Sequence, residues 1–442
     1  MTLETFEKLK LQAHKNRSSD ITHRIQRLKK LKKWIQHNQT DIEKALFADF
    51  KKPAYETQTT EIMICLNEIR FVLDNISNWT KPQTVPTPVT LIGHTSEIRF
   101  ENKGVVLIIA PWNYPFQLAV MPLIAALAAG NTAVLKPSEM TEQTAQLLQK
   151  MTAEVFTESE VQCVLGGKET THQLLDFDFD HVFFTGSTAV GKIVAEKCAK
   201  NLTPVTLELG GKSPVIIDET ADIEDAVRKI HWGKFLNAGQ TCVAPDTIFI
   251  HHKIYSQFIT AFNKYTHSIQ QQSCSMITPT HQQRLEKMGS IVSLDPQFPR
   301  LIENTSLDHP INQEEIFGPI APIHPFQMLS DIKAFYQKNQ NPLALYIFSK
   351  ESNFISSVIE QFPSGGVAIN TIALHLANHH LPFGGIRTSG LGRYHGYFGF
   401  LEFSHQRAVL KDQSARWLSP LLYPPYSPWK TRLIKWVQFF TT

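Results

Sequence analysis

The spacing of apolar residues predicts helices over the first eighty positions. Apolar side chains recur every three or four residues, with lysines and arginines between them, at Ile21, Ile25, Leu28, Leu31 and Trp34. A second helix is predicted over residues 59–79, with one apolar face made by Ile62, Cys65, Ile69 and Val72. The following segment, KPQTVPTP at 81–88, ends the helical pattern because proline lacks an amide donor and restricts φ.

Short apolar runs then alternate with helical patterns along the middle of the chain. A strand-like stretch at 96–100 comes first, and runs of buried-strand length follow: GVVLIIAP, NTAVLKP, VQCVLGG, HVFFTG, PVTLELG and SPVIID. Helical patterns separate several of these runs. This alternation predicts an α/β body with a largely parallel sheet.

Composition narrows the class of protein. The chain has 442 residues, enough for two or three domains, and its net charge of +3 is too small to suggest a nucleic-acid binder. Its five cysteines form no CxxC pair, which favours a reducing compartment and leaves room for one functional thiol. The N-terminus has no apolar core of signal-peptide type, and no apolar run reaches transmembrane length. A cytoplasmic protein is expected.

One cysteine lies in a segment typical of a catalytic loop. Cys242 belongs to NAGQTCVAPD, between a predicted helix and the strand-like TIFIHH. A thiolate is a strong nucleophile toward carbonyl carbon when its pKa is lowered. The alternative of a buried structural cysteine fits the other four well: Cys65, Cys163, Cys198 and Cys274.

Two further polar residues suit the same chemistry. Glu208 ends the apolar run PVTL beside two glycines, where a partly desolvated carboxylate could act as a general base. A surface glutamate before a turn is the alternative. Asn113, in the proline-bracketed turn PWNYP, could donate to a developing oxyanion, although turn asparagines more commonly bond their own backbone.

Two segments suit a phosphate-containing ligand. In HVFFTGSTAVGK a strand leads through a glycine turn into a helix that Ser187 or Thr188 could cap, and free N–H groups at a helix start attract phosphate. Its GxxxxG spacing is neither GxGxxG nor a P-loop, so it is a weak signal alone. Lys136 and Glu139 also follow a strand-like run, where they could hold ribose hydroxyls or simply be solvated charges.

Taken together and in this order, seven segments resemble the aldehyde dehydrogenase superfamily: PWNYPF, KPSE, FTGSTAVG, ELGGKSP, GQTC, QEEIFGP and PFGG. The resemblance runs from about Lys30 to the C-terminus. Further segments, among them CVAPD, PLALYIFS, RYHG and FSHQR, are similar to the class 3 branch, which takes medium-chain, fatty or aromatic aldehydes and typically forms dimers. The resemblance implies an α/β aldehyde dehydrogenase-like fold: two Rossmann-like parallel-sheet domains plus a small β oligomerisation arm.

The resemblance also implies roles. Cys242 would be the nucleophile, Glu208 the base, and Asn113 the side-chain half of an oxyanion hole completed by the Cys242 N–H. The residues implied to bind NAD or NADP are Lys136, Glu139, Gly186, Ser187, Gly191, Glu315 and Phe317. Weaker candidates for the substrate tunnel, for which core packing is the alternative, are Tyr114, Trp232, Phe383 and His395. No metal is expected, and NAD is favoured because Glu139 would repel the 2′-phosphate of NADP.

The implied domain organisation assigns every part of the chain. Residues 1–82 and 103–207 would form the NAD(P)-binding domain, and residues 208–405 the catalytic domain. Residues 83–102 and 406–442 would supply oligomerisation strands and a C-terminal tail. That tail interleaves aromatic residues, among them Trp417, Tyr423 and Trp429, with basic ones. It could dock on the body or on a partner subunit, or it could be a weak membrane anchor.

The sequence departs from the family pattern in places. Between Cys242 and Glu315 it looks roughly fifteen residues short, which affects the expected substrate entrance. Thr371 and Arg387 replace residues usual in the branch, away from the proposed chemistry. The alternatives are a coenzyme A-acylating or thioesterase-like enzyme, which would not need Glu208 as a base, and a catalytically silent scaffold of the same fold.

Overall fold

The computed structural model describes residues 1–17, 20–91, 93–269, 273–296, 298–413 and 423–441. Three sheets organise them: two of six strands and one of three. Helices lie before and between the strands, as the alternating pattern predicts. Among these described residues, no helix combines the length and apolar character that a bilayer-spanning segment needs.

The helical start of the chain is confirmed. Its helices are α1 (Leu3–Arg17), α2 (Ile21–His37), α3 (Gln39–Phe50), α4 (Ala54–Thr57) and α5 (Met63–Trp79), with a π-helical turn at Gln58–Ile62. The second predicted helix thus begins earlier than residue 59. Its expected inner face, Ile62, Cys65, Ile69 and Val72, is buried in the large core cluster.

The first six-stranded sheet contains five of the predicted apolar runs. Its strands are β3 (Val105–Ile109), β4 (Thr132–Lys136), β5 (Val161–Cys163), β6 (His181–Thr185), β7 (Val205–Glu208) and β14 (Gly390–Leu391). The order is β14-β7-β6-β3-β4-β5; all neighbours pair in parallel except β14, which pairs with β7 antiparallel. Every side chain of β3, β4 and β6 is buried, which explains the apolar run at the centre of each strand.

The second six-stranded sheet is parallel throughout. Its strands are β8 (Pro214–Ile217), β9 (Thr247–His251), β10 (Arg300–Ile302), β11 (Ile320–Phe326), β12 (Ala344–Phe348) and β13 (Gly366–Ile369), in the order β10-β11-β9-β8-β12-β13. The helices in this half of the chain are α10 (Ile223–Phe235), α11 (Tyr255–Ser268), α12 (Pro279–Gly289), α13 (Leu329–Lys338) and α14 (Ser352–Gln361).

The remaining helices of the first half are α6 (Gln117–Ala129), α7 (Glu142–Val155), α8 (Lys168–Leu174) and α9 (Thr188–Ala199). Helix α6 is buried along almost its whole length, between α5, α2 and the sheet. It follows β3, so the loop at 110–116 that carries Asn113 leaves the carboxyl end of a central strand. Ligands of open α/β sheets bind at such ends.

A three-stranded antiparallel sheet stands apart from the other two. It consists of β1 (Gln83–Val85), β2 (His94–Asn102) and β15 (Ser404–Asp412), in the order β1-β2-β15. β2 contains the strand-like stretch predicted at 96–100. Helix α15 (Gly396–Glu402) leads into β15, and α16 (Pro428–Thr441) lies at the C-terminus; Trp417 of the predicted tail lies outside the described residues.

Candidate active site

The loop that carries Cys242 has an unusual backbone. After α10 ends at Phe235, Asn237 and Ala238 adopt left-handed conformations, with φ of 56° and 54°. The chain then turns through Gln240 to Cys242 before entering β9. Among the described residues the Cys242 side chain is partly exposed, whereas the other four cysteines are buried. The structure therefore separates Cys242 from the cysteines that suit a structural role.

Asn113 is tied to this loop by its side chain. Its Nδ2 donates to the Gln240 carbonyl at 3.0 Å, and Asn237 Nδ2 donates to the same carbonyl at 3.1 Å. Asn237 Nδ2 also donates to the Asn113 carbonyl at 2.8 Å. A side-chain amide has two hydrogens, so one hydrogen of Asn113 orients the group while the second remains for another acceptor. The alternative of a turn asparagine bonded to its own backbone is wrong.

Glu208 is the last residue of β7 and its side chain is 3% exposed. Neither carboxylate oxygen has a hydrogen-bond partner within the described part of the chain. Burial raises the pKa of this carboxyl well above its usual range, the positive charge of Arg393 lowers the pKa, and the negative charge of Glu402 raises it. A buried carboxyl group without hydrogen-bond partners lowers the stability of the fold. Because Glu208 is buried, the alternative of a surface glutamate is wrong.

Charges from two other segments reach the Cys242 thiol. Protein atoms surround the sulfur densely enough that desolvation raises the pKa of the thiol to about 12, and the negative charges of Glu315 and Glu208 contribute to the rise. Sulfur and two carboxyl groups distant in sequence therefore lie within electrostatic reach of one another. In this state the thiol is protonated at neutral pH, so forming the thiolate requires a nearby positive charge or a proton acceptor.

The segment with Glu315 and Phe317 is clamped from two sides. On one side, Lys212 donates to the carbonyls of Ile311 and Glu314, at 2.7 and 2.9 Å. Lys212 also donates to one carboxylate oxygen of Asp246, and the other oxygen of Asp246 accepts from the Ile316 N–H at 2.9 Å. From α12, Arg284 donates to the Ile316 carbonyl at 2.5 Å, and His281 donates to the Phe317 carbonyl at 2.8 Å. These supporting residues were not predicted from the sequence. Burial, followed by the charge of Asp246, raises the pKa of Glu315 to about 8.

The turn before α9 has the form predicted for phosphate binding. Ser187 caps the helix by accepting from the Val190 N–H at 3.4 Å. A Cβ placed on Gly191 would lie 2.6 Å from a methyl carbon of Leu209, so only glycine allows this close packing of helix on loop. Gly186 is equally confined, because a Cβ there would lie 2.5 Å from the Phe184 ring.

A cleft of about 520 Å³ opens at the start of α9. Its lining includes Thr188, Gly210, Gly211 and Glu315. A Cβ on Gly210 would lie 2.1 Å from the Glu315 carboxylate, so glycine is what permits the carboxylate to lie there. Free helix N–H groups at one end and a carboxylate at the other suit the phosphate and ribose of a nucleotide, so these residues fit a nicotinamide dinucleotide.

Lys136 and Glu139 lie together after β4. The Lys136 ammonium is buried, donates to the Pro137 carbonyl at 2.8 Å and lies 3.5 Å from the Glu139 carboxylate. Glu139 is 52% exposed and faces Gly167. A buried lysine is not the solvated charge of the alternative reading. Contact with a ribose stays a prediction.

The four tunnel candidates occupy different surroundings. Tyr114 is buried, and its hydroxyl lies 2.7 Å from Thr241 Oγ1, next to Cys242. Phe383 and His395 are buried and stack with ring centroids 5.0 Å apart. Trp232 lies on α10 with 38% exposure. Their contact with substrate stays untested. Tyr394 was not predicted from the sequence, although it lies in the quoted RYHG. Burial raises its pKa well above the usual range, and a negative charge on Glu208 or Cys242 would raise it further.

A buried ionic cluster supports the loop from the N-terminal helices. Lys52 and Glu61 are fully buried and paired at 2.6 Å, and the Lys52 ammonium lies 3.9 Å from the centroid of the Tyr114 ring. Glu56 accepts from the Asn237 N–H at 3.0 Å. No sequence motif marked these residues. Charged residues in amphipathic helices are usually solvated, so composition alone offered no signal.

Comparison with known proteins agrees with this geometry. Residues 5–295 and 297–409 match the sequence model of the aldehyde dehydrogenase family. The chain is 45% identical over 428 residues to the 4,4'-diaponeurosporen-aldehyde dehydrogenase of Staphylococcus aureus, covering 92% of this chain and 93% of that protein. It is 38% identical over 442 residues to aldehyde dehydrogenase family 3 member A2 of Pongo abelii, covering 96% and 90%.

A solved structure is similar over the same extent. The structure described as the substrate-bound state of Staphylococcus aureus AldH superposes with a TM-score of 0.94 at 41% identity, and each chain is covered completely. The architecture described above is thus that of aldehyde dehydrogenases, and the similarity to class 3 rests on relatives named as family 3.

Proposed function

The chain belongs to the aldehyde dehydrogenase family, and we propose that it oxidises an apolar aldehyde to the carboxylic acid with NAD or NADP, through covalent intermediates on Cys242. The observation that carries this proposal is the buried Glu208 carboxyl: it has no hydrogen-bond partner among the described residues, and it acts electrostatically on the Cys242 thiol. A family member that only bound ligands would have no use for such an arrangement.

The proposed chemistry uses three side chains. The Cys242 thiolate attacks the aldehyde carbon, and the resulting oxyanion accepts from the free Asn113 amide hydrogen and the Cys242 N–H. A nicotinamide held at Glu315 and Phe317 would supply the acceptor for the hydride that leaves this carbon, which would convert the hemithioacetal into a thioester. Glu208 then takes a proton from water, whose oxygen displaces the thiol and releases the acid.

The raised pKa of Glu208 suits this last step. A carboxyl with an ordinary pKa is a weak base, whereas one whose pKa has moved toward neutrality accepts a proton from water more readily. The burial of Glu208 thus changes a common side chain into a useful base. A coenzyme A-acylating enzyme would need no such base, which is why hydrolysis is the favoured outcome over acyl transfer to a thiol.

An extended apolar aldehyde is the substrate class that the comparisons favour. The Staphylococcus aureus relative is named for a 4,4'-diaponeurosporen-aldehyde, and other relatives belong to aldehyde dehydrogenase family 3. Medium-chain or long-chain aliphatic and aromatic aldehydes are therefore the first compounds to test. NAD is favoured over NADP, because the half-exposed Glu139 carboxylate would repel a 2′-phosphate.

The remaining assignments complete the proposal. Residues 1–82 and 103–207 form the cofactor-binding domain, 208–405 the catalytic domain, and 83–102 with 406–442 the oligomerisation region of a cytoplasmic homodimer. In α16 the exposed aromatic residues Trp429 and Trp436 stand among Lys430, Arg432 and Lys435. This composition suits docking on a subunit or a weak contact with an anionic lipid surface.

The decisive assay follows the absorbance of reduced nicotinamide with a panel of aldehydes and each cofactor. We expect activity in the wild type, none in Cys242→Ala and nearly full activity in Cys198→Ala, whose buried thiol lies on α9 away from the loop. A catalytically silent member of the family would show no aldehyde-dependent rise with either cofactor, and that result would refute the proposal.

A further inference from the structure

Four polar groups form a hydrogen-bonded row inside the protein, starting at the end of β2 and reaching α15. Lys103 Nζ lies 3.1 Å from His181 Nδ1, and His181 Nε2 lies 2.8 Å from Thr206 Oγ1. Thr206 Oγ1 in turn lies 2.5 Å from Glu402 Oε1. His181 and Thr206 are fully buried. The proposed reaction uses none of these groups, so their buried arrangement calls for a separate explanation.

The direction of every hydrogen bond in the row follows from its two ends. The Lys103 ammonium has only donors, so His181 Nδ1 accepts from it. His181 Nε2–H then donates to Thr206, and the Thr206 hydroxyl donates to the Glu402 carboxylate. Burial and the Lys103 charge lower the pKa of His181 well below its ordinary range, so the imidazole stays neutral and this order is kept. Each donor points toward Glu402, so the Glu402 carboxylate accepts the last hydrogen bond of the row.

The charge of Glu402 acts on Glu208. Successive side chains of a strand alternate between its faces, so Thr206 and Glu208 project from the same face of β7, about 6.5 Å apart along the strand. The segment at 390–392 is adjacent to both carboxyl groups. Gly390 pairs with Glu208, and a Cβ on Gly392 would lie 2.7 Å from Glu402 Oε1. Only glycine at 392 leaves room for the carboxylate.

We propose that Glu402 is a positioning residue for Glu208: the row from Lys103 holds its negative charge near the base, and this charge makes Glu208 a stronger proton acceptor. The proposal rests on the proposed function insofar as Glu208 acts as the base. A negative charge close to a buried carboxyl favours its protonated form, so Glu208 takes a proton more readily while the Glu402 carboxylate is present.

The other charged and titratable groups around Glu208 are accounted for. Arg393 lowers the pKa of Glu208, an effect larger than the opposing one of Glu402, and its guanidinium is held in place by donating to the carbonyls of Gly385 and Gly392, at 2.6 and 2.8 Å. Cys242 and Tyr394 face Glu208 as neutral groups, because the pKa of each is raised by burial. Lys103 is at the far end of the row, where burial lowers the pKa of its ammonium and the charge of Glu402 opposes that lowering.

The test is an infrared titration of the buried carboxyl, which does not depend on turnover. The carbonyl band of protonated Glu208 is identified by its loss in Glu208→Gln and followed with pH in the wild type and in Glu402→Gln. Glutamine still accepts from Thr206 but carries no charge. Because the variant lacks one nearby negative charge, the titration midpoint of Glu208 should move to lower pH by on the order of one unit. The exposed Glu360→Gln serves as the matched charge control and should cause no shift.

Two threonine variants test the row itself. Thr206→Val removes the hydroxyl that joins His181 to Glu402, so we expect a smaller shift in the same direction, whereas Thr206→Ser keeps the hydroxyl and should titrate like the wild type. If Glu402→Gln fails to fold, the Thr206→Val titration decides. An unchanged Glu208 band in the folded variants would overturn the proposal.

Kinetics separate the two proposals. If aldehyde oxidation is present, the acid limb of the pH–rate profile should move with the infrared titration. A shifted band without any aldehyde oxidation would uphold the effect of Glu402 and refute the proposed function. Normal turnover without a shift would refute only the role of Glu402.

Discussion

Replacement of Asn113 by alanine tests the oxyanion hole separately from the stability of the loop. In the structure one Asn113 amide hydrogen is bonded to the Gln240 carbonyl, and the other has no acceptor among the residues that the structure describes. Without the amide, the Gln240 carbonyl keeps its second donor, Asn237 Nδ2, at 3.1 Å. The stability cost should therefore be about 1 kcal/mol, the usual net value of one hydrogen bond.

The catalytic cost should be much larger. Removal of one oxyanion donor usually lowers kcat by about 10²–10³, equivalent to roughly 2.7–4 kcal/mol of transition-state stabilisation. The oxyanion exists only after thiolate attack, so KM should change little and kcat should carry the loss. Steady-state kinetics with a good aldehyde give both constants, and thermal unfolding of the same preparation gives the stability change.

Asn237→Gly is the matched control, because glycine tolerates the left-handed backbone at this position while losing the three side-chain hydrogen bonds of Asn237. It should lower stability more than Asn113→Ala and kcat less. If Asn113→Ala loses less than about tenfold in kcat, well short of the loss expected from one donor, the amide does not serve the oxyanion. If both variants lose kcat in proportion to stability, loosening of the loop explains the effect instead.

Three further predictions concern the base, the cofactor and the glycine turn. Glu208→Gln should retain the first burst of reduced nicotinamide in stopped-flow measurements but lose steady-state turnover. The wild-type rate should rise with pH through the raised pKa of Glu208, and this rise should be absent from the pH–rate profile of the variant. Glu139→Gln should raise kcat/KM for NADP relative to NAD, and an unchanged ratio would exclude repulsion by Glu139. Gly191→Ala should raise the KM for the cofactor and lower the unfolding temperature, because its methyl group would meet Leu209; equal cofactor binding in calorimetry would contradict this.

Much of the sheet architecture could be predicted because parallel strands are buried on both faces. The runs at 105–109, 132–136 and 181–185 are apolar at their central positions, so length and flanking glycines were enough to identify them as buried strands. Glu208 and Cys242 could be found for the opposite reason. Glu208 is a carboxylate at the end of an otherwise apolar strand, and Cys242 is a thiol in a polar loop between a helix and a strand.

The groups that hold the site in place could not be predicted in this way. Lys52 lies between α3 and α4 and Glu61 in the π-helical turn, in a helical region where charged residues are expected in solvent. Only the tertiary fold buries them as a pair and places Lys52 over the Tyr114 ring. The row from Lys103 to Glu402 joins four elements from distant parts of the chain. No local pattern encodes such pairings, because the residues that pair are far apart in sequence.

The segment between Cys242 and Glu315, which the family resemblance predicts to be short, illustrates how the fold holds the site through main-chain contacts. The sequence raised doubt about this region because it frames the expected substrate entrance. Yet α12 lies within it and supplies Arg284 and His281, which grip the backbone at 315–317 from the side opposite Lys212 and Asp246. The clamp bonds main-chain carbonyls and an N–H, so it depends on where α12 lies and not on the length of the loops around it. Loss of residues from those loops therefore changes the entrance while leaving the position of Glu315 fixed beside the thiol.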